Sequence, residues 1–167
     1  MDEERPDKLI KIRWYLDYLD QKCSYNFIPK TNATFDESMI KFKGRMSFRQ
    51  YLPAKPTKRG VKLWNMADSD TGYMHRFQIY TGKEDAQEKG LSYRVVMDLC
   101  SNMLGKNLRV YFDNFYTSVE LLKDLHTRGV LACGTVCTNR KGLPKQLLPK
   151  QLKLNKHESF KLPRRMS

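Results

Sequence analysis

Apolar residues recur at helical spacing between Lys8 and Lys22, where Leu9, Ile10, Ile12, Leu16 and Leu19 predict a packing helix to which Trp14 and Tyr15 add bulk. Pro29 and Asn32 then mark a loop. Thr34 to Asp36 has strand character and is expected to end at the Asp36-Glu37 pair. Lys41 to Pro56 is basic, aromatic and loop-rich. Val61 to Ala67 is an apolar, β-rich run closed by the turn signal Asp68-Ser-Asp-Thr-Gly72. Met74 to Thr81 alternates, with Phe77, Ile79 and Thr81 on one face, so the two runs predict an antiparallel hairpin.

Further along, Leu91, Val95, Leu99 and Met103 line one face of a helix over 91–104, and Gly105 supplies its stop. Leu108 to Phe112 reads as a short buried strand ending at Asp113. Thr117-Ser-Val-Glu120 has the form of a capping box, so a helix starts there, turns Leu121, Leu122 and Leu125 to the core and ends at Gly129. Val130 to Val136 is the last clear strand. Three strands without intervening helices, followed by strand–helix alternation, predict an α/β fold with a mixed sheet and helices packed on it. Beyond Asn139 the periodicity fades, and Arg140 to Ser167, with three prolines and many lysines, reads as a poorly packed arm.

Composition adds a charge argument. The 167 residues carry a formal net charge of +13, with 31 Lys and Arg against 18 Asp and Glu. The excess is concentrated: Lys41 to Lys62 holds eight basic residues and no acid, and Arg140 to Ser167 holds nine basic residues against Glu158. Such clustering favours a polyanionic partner, held through phosphate contacts and counterion release. Lys43, Arg45, Lys55, Lys58 and Arg59 are the candidate DNA-contacting residues; a solvated basic loop is the alternative for any one of them. The acidic, polar start MDEERPDK has no signal-peptide pattern, and no apolar run approaches a membrane span. Reduced cysteines in the nucleus or cytoplasm are therefore expected. Cys133 and Cys137 form a C-x3-C pair without a second pair of ligands, which reads as core packing rather than metal ligation. Trp64 reads as core, and His75 and His126 as surface or boundary residues.

Asp36 and Asp113 are the candidate chemistry. Each is expected at a strand end, and if those strands are neighbours the carboxylates share one spot. Phosphodiester hydrolysis and strand transfer need such clusters, because carboxylates hold the two hard cations that clamp the attacking and leaving oxygens. Position alone is weak support, since strand-terminal aspartates often just cap turns. Asp68, Asp70 and Asp85 belong to the hairpin turn and the following loop, and are not expected to join the pair.

Four blocks change the weighting. Asp36-Glu-Ser-Met-Ile-Lys-Phe-Lys-Gly-Arg45, Phe48-Arg-Gln-Tyr-Leu-Pro-Ala-Lys-Pro56 running on to Lys58-Arg-Gly-Val-Lys-Leu-Trp64, Asp113-Asn-Phe-Tyr-Thr-Ser118, and Gly134-Thr-Val-Cys-Thr-Asn-Arg-Lys-Gly-Leu-Pro144 resemble, in order and spacing, the transposase domain of piggyBac-type elements. The resemblance runs from about Asp7 to near Lys161. It implies an RNase H-like core for cut-and-paste DNA transposition. Asp36 and Asp113 then fall on two of the family's three metal-binding catalytic aspartates, with Mg²⁺ as cofactor, DNA as partner, a nuclear setting and a possible homodimer in the full-length family. The third aspartate belongs to a G-G-V-D motif on a later helix, and no G-G-V-D occurs in these residues. The expectation is thus a partial core over residues 1–139, incomplete at its C-terminal side with one sheet face left exposed, and a basic arm over 140–167 that starts the family's insertion region. Such a piece is expected to be inactive alone. A domesticated, non-catalytic DNA-binding or interaction module, or a decayed element copy, is the alternative.

Overall fold

A computed structural model describes residues 7–82 and 89–147. Among them, the strands β1 (Asn32–Lys41), β2 (Gln50–Tyr51), β3 (Arg59–Asp68), β4 (Met74–Ile79), β5 (Arg109–Phe112) and β6 (Leu131–Gly134) form one sheet, accompanied by the helices α1 (Arg13–Asn26), α2 (Leu91–Leu99) and α3 (Val119–Thr127). The sheet order is β2-β3-β1-β5-β6, and β4 also pairs with β3. β1, β3 and β4 form the expected antiparallel meander, and β5 and β6 add in parallel. Parallel neighbours need crossovers, which α2 and α3 supply.

The central strand is longer than its local pattern implies. β1 pairs with β3 all the way from Ala33↔Asp68 to Lys41↔Gly60. Asp36 is therefore in mid-strand and not at its end. The pairing partner, rather than β1's own composition, sets the length. The turn from β3 to β4 forms as expected. Asp68 Oδ2 accepts from the Thr71 amide at 2.9 Å and its hydroxyl at 2.7 Å, and Gly72 takes a φ of 72°. The Thr71 hydroxyl bond holds the Asp68 carboxyl below its ordinary range.

One face of the sheet carries the main core. Ala33, Phe35, Trp64, Met66, Val110 and Phe112 pack there against Val95, Val96 and Leu99 of α2 and Leu121 and Leu125 of α3. Burial also encloses Cys100 and pushes its thiol up to about 11, so it stays protonated. The α3 cap shifts by one residue from the expected box. Ser118 Oγ accepts from the Leu121 amide, while the Thr117 hydroxyl donates to the Asp113 carbonyl at 2.7 Å. Thr117 closes the preceding turn and so is not available as the cap.

On the opposite face a smaller cluster of Leu9, Phe48, Val61 and Leu63 packs with Leu16, Phe77 and Ile79. The helix α1 lies at this side but buries none of its residues. Ile10, Ile12, Trp14 and Tyr15 are exposed, against the expected apolar packing face. Beside the partial packing of Leu16, polar contacts hold α1. Asp20 accepts from the Arg76 side chain at 3.0 Å and from the Phe77 amide at 2.9 Å. His75 is fully buried rather than at the surface, with Nδ1 2.8 Å from the Phe27 carbonyl and Nε2 3.2 Å from the Asn102 amide nitrogen. Both ring nitrogens find partners from distant segments, which is what makes burial of the ring tolerable. Along β5 and β6, Arg109, Tyr111, Leu131 and Cys133 leave this second sheet face exposed. Cys133 is thus not a core residue as expected, and Cys137 is half-buried.

Candidate functional site

β1 and β5 run parallel in the register Asn32↔Arg109, Ala33↔Val110, Thr34↔Tyr111. Two more steps along both chains bring Asp36 abreast of Asp113, the first residue after β5. The rings of Phe35 and Phe112, one residue back on each, are 6.3 Å apart on the core face, so alternation aims Asp36 the other way. Both aspartates are exposed, with 63% of the Asp36 side chain accessible. Asp36 is thus carried by mid-β1 and Asp113 by the turn that leaves β5, at corresponding levels of two neighbouring parallel strands.

Each carboxylate is oriented by one backbone amide. Asp36 Oδ1 accepts from the Glu37 N–H at 2.7 Å, and Asp113 Oδ1 accepts from the Phe115 N–H at 2.9 Å. Each Oδ2 is left without a hydrogen-bond partner among the described residues. Lys55 reaches in from the loop after β2, its Nζ 3.7 Å from Asp36 Oδ1 and 3.1 Å from the Glu37 carbonyl. Glu37, on the core side of β1, is satisfied by Lys62 at 3.2 Å and both side chains are largely buried. Lys62 in turn lies over the rings of Trp64 and Phe115.

The Asp113 turn is buttressed from the chain that follows β6. Arg140 donates to the Asn114 carbonyl and, at 3.1 Å, to the Phe115 carbonyl. Gly134 lies so close to the turn that a Cβ would stand 2.4 Å from the Thr117 hydroxyl and 2.6 Å from the Phe112 carbonyl. The third and fourth sequence blocks are thereby physically joined: the G-T-V segment and Arg140 hold the D-N-F-Y-T-S turn.

Beneath the pair lies Tyr116, 1% exposed, packed against Phe35, Phe112 and Phe115. Burial first, then the Glu37, Asp36 and Asp113 carboxylates, hold its phenol well above the ordinary tyrosine range. Its hydroxyl has no hydrogen-bond partner among the described residues. An unpaired buried hydroxyl costs about 1–3 kcal/mol. Tyr116→Phe is therefore expected to stabilise the fold by roughly 1 kcal/mol in denaturant unfolding; a loss of stability would mean that the hydroxyl is bonded.

The sequence-selected cations divide by place. Lys55 stands beside Asp36. Lys43, Lys58 and Arg59 line a separate groove with Lys41, Arg49, Phe42 and Tyr51. Arg45 is exposed and does not line it. Lys41 and Arg49 were not singled out by sequence, although both lie in the same acid-free run. Tyr116, Arg140 and the Glu37–Lys62 pair had no sequence signal beyond membership of the blocks. Asp68 is committed to its turn, Asp70 belongs to the same turn, and Asp85 lies outside the described residues. Trp64 is buried as expected, and Phe48 is core while Tyr51 is exposed. Among the described residues no group of three His, Cys, Asp or Glu side chains could hold a metal ion. The pair nevertheless suits a hard cation in donor chemistry, because both ligands are oriented carboxylates with a free oxygen. No helix among these residues is long and apolar enough to cross a membrane.

A family model described as Transposase IS4 matches residues 1–161. The human PiggyBac transposable element-derived protein 3 is 34% identical over 137 residues, which is 78% of this chain and 23% of that protein. The human PiggyBac transposable element-derived protein 2 is 29% identical over 133 residues, 76% of this chain and 22% of the relative. The cryo-EM structure of a piggyBac transposase synaptic complex with hairpin DNA superposes with a TM-score of 0.76 at 32% identity, over 83% of this chain and 30% of that one. The chain thus spans under a quarter of the length of these two human relatives.

Proposed function

The chain belongs to the Transposase IS4 family, as a piggyBac-type member with an RNase H-like sheet, and on that premise we propose that Asp36 and Asp113 are two ligands of a divalent-cation site that acts on DNA phosphodiesters. The register that sets Asp36 abreast of Asp113 carries this reading. Mg²⁺ is the cation proposed, because it takes one or two carboxylates and completes its shell with water and phosphate oxygens. When bound, a pair of such ions supplies Lewis-acid stabilisation to the attacking and leaving oxygens of a phosphodiester. The residues of this chain hold the two carboxylates side by side, present Lys55 to a nearby phosphate, and bring the cationic run over 41–62 against the DNA backbone.

The family's third carboxylate has no counterpart among the described residues, so this pair is expected to hold its cation weakly and not to complete hydrolysis and strand transfer alone. In the same proposal residues 1–139 are a partial transposase core and 140–167 a basic arm that opens the family's insertion; of that arm, 148–167 lie outside the described residues. DNA as partner, a nuclear location and pairing of two copies in the full-length protein belong to it too. A second reading, a DNA-binding module without catalysis, is favoured by the absence of a third ligand among the described residues.

Calorimetric titration with Mn²⁺ or Mg²⁺ separates the two. Asp36→Asn and Asp113→Asn are each expected to weaken cation binding by at least about tenfold, because each removes one of two anionic ligands. Both variants should keep or slightly strengthen DNA binding at low salt, since a negative charge is lost. Cation binding unchanged in both variants would remove the acidic site from the assignment. Nicking or joining of a hairpin DNA end by the wild type, lost in both variants, would exclude the non-catalytic reading.

A further inference from the structure

The groove between the end of β1 and the β2–β3 segment has a volume of about 590 Å³ and is lined by Lys41, Phe42, Lys43, Arg49, Tyr51, Pro56, Thr57, Lys58 and Arg59. Five of the nine lining residues are cations and none is an acid. None of the five has an ion-pair partner among the described residues. Arg49 is committed to the wall, donating to the carbonyls of Lys43 and Gly44 at 3.3 and 3.1 Å. Those bonds brace the backbone at Lys43 and Gly44, and the Phe42 ring lies so close to Gly44 that a Cβ there would stand 2.6 Å from it.

Two aromatic rings stand open in this cationic surface: Phe42 at 38% exposure and Tyr51 at 58%. The Arg59 guanidinium lies over the Tyr51 ring, 5.0 Å from its centre. Phosphate contacts to a duplex need the cations but give the rings nothing to do, because paired bases are stacked inside the helix. Unpaired bases are different. They expose their π faces, and a cationic track with open rings is the arrangement that binds single strands, by stacking bases while the cations follow the backbone.

The groove is also connected to the acidic pair. Lys55 at Asp36 and Pro56, Thr57 and Lys58 in the groove belong to one short loop, and Lys41 is five residues along β1 from Asp36, about 17 Å at strand rise. We propose that this groove holds unpaired nucleotides adjoining the phosphodiester at Asp36 and Asp113, with Phe42 and Tyr51 stacking the bases and Lys41, Lys43, Lys58 and Arg59 holding the phosphates. The groove's ligand class, single-stranded DNA, stands on the groove's own residues; only its place beside the reacting phosphate rests on the function proposed above.

The test compares two fluorescent oligonucleotides of equal total charge, a blunt duplex and a duplex with a short unpaired overhang carrying 2-aminopurine, bound to the full chain in EDTA. The overhang is expected to bind about tenfold tighter than the blunt duplex, and its 2-aminopurine emission to be quenched by stacking. Tyr51→Ala and Phe42→Leu should each remove most of that preference and the quenching while leaving blunt-duplex affinity unchanged. Tyr51 is exposed, and leucine keeps apolar bulk at Phe42, so both variants should fold, as circular dichroism would verify. Lys58→Ala should weaken both oligonucleotides. Equal binding of the two oligonucleotides, or an overhang preference untouched by both ring variants, would overturn the proposal. Asp36→Asn should retain the overhang preference in EDTA, so a failure of the cation site and a failure of the groove give separate signatures.

Discussion

Gly134→Ala is expected to destabilise the chain by about 3 kcal/mol and to disturb the acidic pair at the same time. The added methyl would meet the Thr117 hydroxyl at 2.4 Å, the Phe112 carbonyl at 2.6 Å and the Phe112 ring at 2.8 Å. A flexible side chain tip could move aside, but the Phe112 carbonyl is backbone of β5, in register with Gly134 itself. Relief therefore requires β5 and β6 to part at this end, and the residue that follows Phe112 is Asp113. Guanidinium unfolding should show the lower midpoint, and Mn²⁺ titration of the folded variant should show weaker binding than in the wild type. A variant within about 1 kcal/mol of the wild type, with unchanged cation affinity, would mean that β6 does not press on the turn as described.

Arg76→Ala should cost about 2–3 kcal/mol, the range for breaking a largely buried, multiply bonded ion pair. Arg76 contacts Asp20 of α1 at 3.0 Å, the Asp98 carbonyl of α2 at 2.7 Å and the Ser101 hydroxyl at 3.0 Å, and both Arg76 and Asp20 side chains are 19% exposed. Removing the guanidinium leaves Asp20 poorly solvated without its partner. It also loosens α1, which has no buried residue of its own to hold it. Arg76→Lys should recover less than half of the loss, because a single ammonium cannot reproduce the fork that reaches three elements. Hydrogen exchange gives a local readout: the Phe77 amide, bonded to Asp20 Oδ1, should lose protection in Arg76→Ala. Unchanged protection there would show that α1 is held by something else.

These two sites illustrate which features could be read from local pattern. The β5 alternation of exposed and buried residues, the apolar face of α2, the Asp68–Gly72 turn and the apolar face of α3 are all encoded within a few residues, because strand and helix periods are properties of the local backbone. β2 was not legible, since two residues become a strand only because Gln50 and Tyr51 meet Gly60 and Arg59. The α1 stretch misled in the other direction. Its apolar residues have helical spacing, yet the surface they meet is small, and the anchoring falls to Asp20. His75 has no local partner at all, and its burial depends on Phe27 and Asn102 arriving from two other segments.

The amino-acid sequence by itself determined the order of the elements apart from β2, the two aspartates worth watching and the acid-free basic run between Lys41 and Lys62, because propensity, turn chemistry and charge act over short stretches of chain. Only the tertiary structure decided that Asp36 stands abreast of Asp113, that Lys55 leaves the other cations to join them, and that Phe42 and Tyr51 open into a groove with five positive charges. Each of these depends on strand register and loop closure between segments distant in the chain, and register is set by which faces can be buried together, a condition that no single segment contains.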